Sequence, residues 1–177
     1  MIIPGVGEIM DKVLFVIDMQ EIYCGRGRNM EKYRYNAENL VDEINKRIAE
    51  YKPEEVFYFK SIAKGIGGLI GNMPKEGTHE AKFVERLKIV GKNVYERSKP
   101  DVFSLVEIVD LMRSRNVKEI ELVGVDGGTS IGATAVTATN DLDLRIIYNN
   151  YCIASAVPAK AMKYREKFKQ NRVTFIN

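Results

Sequence analysis

The sequence predicts a single α/β domain, residues 1–177, built on a parallel sheet with helices on both faces. Three observations carry this. Short runs rich in β-branched and aromatic residues alternate with longer amphipathic runs along the whole chain. No internal repeat and no low-complexity linker divides it. The chain has 177 residues, 45% of them hydrophobic, which suffices for one full core.

Taken in order, residues 13–18, VLFVID, form an apolar run closed by an acid, the pattern of a strand buried on both faces. Residues 36–51 place Leu40, Val41, Ile44 and Ile48 at helical spacing, and Pro53 ends that helix. Residues 56–59 are a second strand, and residues 65–77 a glycine-rich loop. Residues 79–89 read as a helix, with Phe83, Leu87 and Val90 on one side. Residues 93–97 are a short third strand, 103–112 a helix, and 120–125 a fourth strand. Residues 130–140 form a helix of small residues and 144–148 a fifth strand. The last helix spans 159–168 and the last strand 172–176.

Composition excludes several classes of function. A formal charge of +3 is too small to imply a nucleic-acid partner. The apolar run 13–17 is too short for a signal segment or a membrane span, so no membrane partner is expected. Cys24 and Cys152 do not make a disulfide framework and read as free thiols in a reducing compartment, which points to the cytoplasm. Plentiful Lys, Arg and Glu with only two Gln lean toward a thermophilic source. The loop 64–72, KGIGGLIGN, lacks the Gly-Lys-Ser/Thr ending of a phosphate-binding loop and reads better as a lid or subunit contact.

Ligands of parallel α/β sheets bind beyond the carboxyl ends of the strands, so the residues just after each strand are the candidates. Asp18 ends the first strand; it is either an acid whose poor solvation tunes its proton affinity or a plain surface acid. The third strand runs into Arg97, Ser98 and Lys99, and Lys99 either pairs with Asp18 or is simply solvated. The fourth runs into GVDGGTSIGATA, residues 124–135. There a glycine-rich turn opens a helix near Ser130 and directs backbone N–H groups at any bound oxyanion.

These segments resemble the signatures of the isochorismatase-like (cysteine hydrolase) superfamily. VLFVIDMQ is similar to its apolar strand ending in Asp-x-Gln, and Tyr23 falls where a pocket aromatic is usual. Residues 94–99 resemble the segment that supplies the family's lysine. GVDGGTSIGATA is similar, without a gap, to the nucleophile motif, with Ser130 at the position of the cysteine. The resemblance implies a three-layer αβα sandwich with a parallel sheet of order 3-2-1-4-5-6. It implies Asp18, Lys99 and Ser130 as the catalytic set, with Asp126, Gln20 and Tyr23 around the substrate. It also implies a cis peptide between Val125 and Asp126, an oxyanion hole from the N–H groups of Asp126 and Ser130, and a homo-oligomer.

The chain departs from that pattern at three places. A serine hydroxyl is harder to ionise than a thiol, whose pKa starts at about 8.5. Ser130 is thus a weak nucleophile, a substrate-positioning group or a relic, and all three readings stand. Asp126 puts a carboxylate beside the oxyanion hole, which disfavours an ordinary amidase and suits a cationic substrate. One histidine, His79, and the run Lys60-Ser61-Ile62 do not supply a zinc site of the nicotinamidase kind, so no metal and no cofactor is expected. The leading expectation is a small-molecule hydrolase acting on a C–N, ester or vinyl-ether bond. The rival is a non-catalytic ligand-binding member of the same fold. A nucleotide binder using Gly127 and Gly128 ranks below both, because the G-x-G-x-x-G pattern is missing.

Overall fold

Six strands in the order β3-β2-β1-β4-β5-β6, every neighbouring pair parallel, form the centre of the computed structural model, which describes residues 10–64 and 73–177. They are β1 (Lys12–Ile17), β2 (Val56–Ser61), β3 (Val94–Arg97), β4 (Glu119–Val125), β5 (Arg145–Ala154) and β6 (Val173–Ile176). The helices are α1 (Glu21–Cys24), α2 (Ala37–Ile48), α3 (Val106–Ser114), α4 (Ser130–Asn140) and α5 (Pro158–Arg165). The strand order is the one implied by the resemblance.

The period of two along β1 divides the core into two layers. Val13, Phe15 and Ile17 face Ile108, Met112, Ile131 and Ala135 of α3 and α4. Leu14 and Val16 face Leu40, Val41, Ile44 and Ile48 of α2. Asn36 caps α2 by accepting the N–H of Asn39, 3.1 Å away. Helix α4 is buried on most sides, which its Gly, Ala and Thr residues allow. The loop 64–72 of the sequence reading lies, from residue 65 onward, outside the described residues.

Two expectations need correction. Residues 79–89 are not helical. Their backbone is drawn alongside α1, with Glu21 N–H donating to Lys82 O and Ile22 N–H to Glu80 O. Val84 N–H donates to Met19 O, and Gln20 bridges Phe83 as an isolated antiparallel pair. Tertiary backbone hydrogen bonds override the helical period here. The fifth strand, expected over 144–148, continues to Ala154, so Cys152 lies within β5.

At the other end of the sheet from the loops, Glu121 of β4 is fully buried against α2. Arg47 donates to both of its oxygens at 2.7 Å, Tyr51 to Oε2 at 2.6 Å and Asn149 to Oε1 at 3.1 Å. Burial alone would raise its pKa; the hydrogen bonds from Arg47, Tyr51 and Asn149 outweigh it, and the net shift is downward. A lowered carboxyl contributes stability above its unfolded value, about 4.3, and loses it as the pH falls through the folded value. Glu121→Gln is therefore expected to cost about 2 kcal/mol at pH 7 in urea titrations. The gap to the wild type should narrow on acidification; a gap independent of pH would contradict this account.

Candidate active site

The carboxyl ends of β1, β2, β3 and β4 open on a cavity of about 400 Å³. Asp18 lies on its floor. The residue follows β1 in a left-handed conformation, φ 54°, which turns the chain sharply and leaves the side chain 4% exposed. Its N–H is still held to the sheet by Phe59 O, 2.9 Å away.

Two groups converge on one oxygen of Asp18. The Ser130 hydroxyl donates to Oδ2 at 2.7 Å, and Arg97 Nη2 donates to the same atom at 2.6 Å. Burial, the largest influence, raises the proton affinity of this carboxyl; the Arg97 charge and the hydrogen bonds from Ser130 and Arg97 oppose it without reversing it. Asp18 is thus a stronger base than an ordinary aspartate. Its Oδ1 and the Nε of Arg97 have no hydrogen-bond partner.

The cation against Asp18 is Arg97, not Lys99. Strand β3 ends at Arg97, whose side chain turns inward with that of Tyr95 and is 2% exposed. It must cross the end of β2 to reach Asp18, a span of two strand spacings or about 9.6 Å. The residue it passes is Ser61, paired with it in register, and the small side chain leaves room. Lys99 lies two residues beyond the strand, exposed and off the cavity wall. What it contributes is its carbonyl, which accepts from Arg97 Nη1 at 2.5 Å.

Ser130 is the first residue of α4. Gly124, beneath the turn into that helix, has φ 116°, and a Cβ there would stand 2.1 Å from Ile17 O, so only glycine fits. The Val125–Asp126 peptide is cis. Asp126 O accepts the N–H groups of Thr129 and Ile131. Among the described residues the N–H groups of Asp126 and Ser130 have no acceptor, which leaves two donors at the start of α4.

Asp126 lines the cavity, and both of its carboxylate oxygens are held by backbone N–H groups. Oδ1 accepts the Gly128 N–H and Oδ2 the Ala156 N–H, each at 2.6 Å. The side chain ties the β4–α4 turn to the segment after β5. Gln20 is placed differently from the expectation. It is fully buried behind the wall, donating to Ser61 O and Ala81 O and accepting from Ser61 N–H and Oγ. It braces Ser61, whose hydroxyl in turn meets Tyr23 Oη at 3.0 Å.

Tyr23 does line the cavity, joined by two tyrosines that the motif reading did not single out. Tyr33 meets Tyr23 edge to face, ring centroids 5.6 Å apart, and Tyr35 donates its hydroxyl to Tyr23 O at 2.9 Å. Arg28 holds the loop that carries them by donating to Gly25 O, Tyr33 O and Tyr35 O. Cys24 and Cys152 are buried away from the cavity, and burial pushes both thiols up to about 12.

The residues at the end of β2 do not suit a metal. Lys60 pairs with Glu96, Ser61 is engaged with Gln20 and Tyr23, and Ile62 is apolar. Among the described residues no three His, Cys, Asp or Glu side chains converge as ligands would.

Comparison with known proteins agrees with this architecture. Solved structures superpose over nearly the full length. An isochorismatase family protein from Desulfovibrio vulgaris matches with TM-score 0.75 at 20% identity, 93% of each chain being covered. An N-carbamoylsarcosine amidase from Thermoplasma acidophilum matches with TM-score 0.73 at 19% identity, covering 94% of this chain and 95% of its own. A nicotinamidase from Bacillus subtilis matches with TM-score 0.74 at 16% identity, covering 95% of this chain and all of its own. At such identities these likenesses concern the fold. A sequence comparison with curated proteins gives no match. The family model of the isochorismatase domain, however, matches residues 12–175, from the first residue of β1 to the penultimate residue of β6. With Asp18 at the end of β1 and the glycine-rich turn into α4 inside that span, the chain belongs to the isochorismatase family of hydrolases.

Proposed function

We propose that the protein hydrolyses a C–N or ester bond at a carbonyl carbon of a small molecule, with Ser130 as nucleophile and Asp18 as its base. The observation that carries this reading is the 2.7 Å hydrogen bond from the Ser130 hydroxyl to Asp18 Oδ2, made inside the cavity at the start of a helix. Ser130 Oγ attacks the carbonyl carbon as its proton passes to Asp18. The carbonyl oxygen becomes an oxyanion and takes the N–H groups of Asp126 and Ser130. Asp18 returns the proton to the leaving nitrogen or oxygen, and an acyl-serine remains. Water then attacks the acyl carbon, gives a proton to Asp18, and the acid leaves as Ser130 regains its proton. Arg97 keeps the carboxylate oriented and ionisable in its buried position. Lys99, exposed, has no part in this scheme.

The test is a screen of activated esters and small carboxamides with the wild type and Ser130→Ala, with intact-mass detection of an acyl adduct. An adduct on Ser130 and loss of turnover in Ser130→Ala are expected. Full turnover in Ser130→Ala would sink nucleophilic catalysis and favour direct attack by water, or protonation of a vinyl ether, at Asp18.

A second result is expected from Ser130→Cys. The helix start and Arg97 both favour a thiolate there, whereas the native thiols are buried and held near 12. Brief treatment with iodoacetamide at neutral pH should label the introduced thiol at least about tenfold faster than Cys24 or Cys152. Equal labelling on peptide mapping would show that the position is not activating.

A further inference from the structure

Only one oxygen of Asp18 takes part in the acyl-transfer steps. Oδ2 carries Arg97 and Ser130, whereas Oδ1, itself buried, has no hydrogen-bond partner. An ionised carboxylate oxygen enclosed without a donor is costly. The Ser61 hydroxyl lies in the same wall of the cavity, on the residue that Arg97 passes to reach Asp18. Its hydrogen goes to Gln20 Oε1 at 3.2 Å, long for an O–H···O bond, whose usual distance is about 2.7 Å. That acceptor is already served by the Ser61 N–H at 2.9 Å. With the Ser61 hydrogen so placed, the 3.0 Å contact between Ser61 Oγ and Tyr23 Oη is donated by Tyr23. Burial, the largest influence on Asp18, raises its proton affinity; the Arg97 charge, the hydrogen bonds from Ser130 and Arg97 and the Ser61 hydroxyl all act the other way.

We propose that Ser61 is a positioning residue that swings its O–H from Gln20 Oε1 to Asp18 Oδ1 when Asp18 ionises, with Tyr23 donating to Ser61 behind it. Rotation of the hydroxyl with a small shift of Oγ makes the exchange. Gln20 keeps its bonds to Ser61 N–H, Ser61 O and Ala81 O in either arrangement. It gives up one long neutral bond, and Asp18 gains a charge-assisted one, roughly twice as strong. When Ser130 passes its proton to Asp18, the Ser61 hydroxyl returns to Gln20; when the proton goes back, it closes on Oδ1 again. Oδ2 is thus left to exchange the proton with Ser130 while Oδ1 keeps the carboxylate ionisable. The groups facing Asp18 are Arg97 from β3, Ser130 from α4, Ser61 from β2 and Tyr23 from α1. The cavity's other charged groups, Asp126, Lys32 and Lys160, make no hydrogen bond or ion pair with it among the described residues. Ser61 is therefore the one hydroxyl placed to serve the idle oxygen, and Tyr23 is the group that polarises it.

The proposal rests on the hydrolase reading only for the use made of the proton, so it is tested on the ionisation of Asp18 itself. The carboxyl carbon signal of Asp18, identified by its loss in Asp18→Asn, is titrated by NMR on the intact protein. Wild type, Ser61→Ala, Tyr23→Phe and the double variant are compared. At the pH where wild-type Asp18 is half ionised, Ser61→Ala should be ionised only to about one tenth, the worth of one hydrogen bond to a charged group. Tyr23→Phe should move the midpoint upward by less, because it acts through Ser61, and should add nothing in the Ser61→Ala background. Tyr23→Phe leaves β2 and the ring contact with Tyr33 in place, so it tests the relay even where Ser61→Ala folds poorly. An unmoved midpoint in either single variant, or a Tyr23→Phe shift undiminished without the Ser61 hydroxyl, would overturn the proposal. No turnover is measured, so loss of the hydrolase reading leaves the relay standing, and an unmoved midpoint leaves the acyl-serine test intact.

Discussion

Asp18→Asn should lower kcat/KM for any substrate found by about a thousandfold, the usual worth of a positioned proton-transfer group. The amide keeps the shape of the side chain and can still accept from Ser130 and Arg97, but it cannot take the Ser130 proton. Substrate binding should persist, so the loss falls on kcat. In the wild type the acid limb of the rate profile follows ionisation of Asp18. Because burial raises this carboxyl, the limb should lie above the ordinary aspartate value of about 3.9. The same shift has a sign for stability. A carboxyl that holds its proton more tightly folded than unfolded costs stability on ionising, so the wild type should lose stability relative to Asp18→Asn as the pH rises through that window. Undiminished turnover in Asp18→Asn would remove Asp18 from the chemistry.

Arg97→Met should produce the largest loss of stability of any single change at the site, about 3–5 kcal/mol, with a Tm lower by about 10 °C. Arg97 and Asp18 are both almost fully enclosed, at 2% and 4% exposure, so removing the cation leaves a buried carboxyl to be neutralised by a proton. The double variant Asp18→Asn/Arg97→Met leaves no buried charge and should be more stable than Arg97→Met alone. Calorimetry on the four proteins completes the cycle. Additive losses would mean that the pair is not coupled. Lys99→Met, by contrast, should leave stability nearly unchanged, because that side chain is exposed.

Much of the architecture was legible because the local signals are strong and agree with one another. The apolar run of β1, the amphipathic face of α2 and the glycine-rich start of α4 each read directly as the elements observed. That Asp18 and Ser130 lie at one end of the sheet, as candidates for the site, was legible for the same reason. Each terminates or begins an element whose direction relative to the sheet follows from the parallel topology. The segment 79–89 was misread because its apolar spacing is met equally well by an irregular strap, and its hydrogen bonds go to Met19, Glu21 and Ile22, far away in sequence.

The cation shows the limit most clearly. Motif spacing pointed to Lys99, whereas the period of two in VYER already placed Arg97 on the inward side with Tyr95. That signal was available, yet it could not say that the side chain reaches across the end of β2. Only the pairing of Arg97 with Ser61, and the small size of that serine, decides it. Likewise the sequence shows a carboxylate at Asp126 but not its partners; Ala156 is thirty residues away and meets it only because β4 and β5 are neighbours. The sequence by itself carried the family resemblance, the succession of the six strands and the acid and hydroxyl that meet in the cavity, because these depend on local pattern. The tertiary structure alone decided which cation faces the acid and which backbone N–H groups hold Asp126, because those depend on distances between groups that no spacing in the chain encodes.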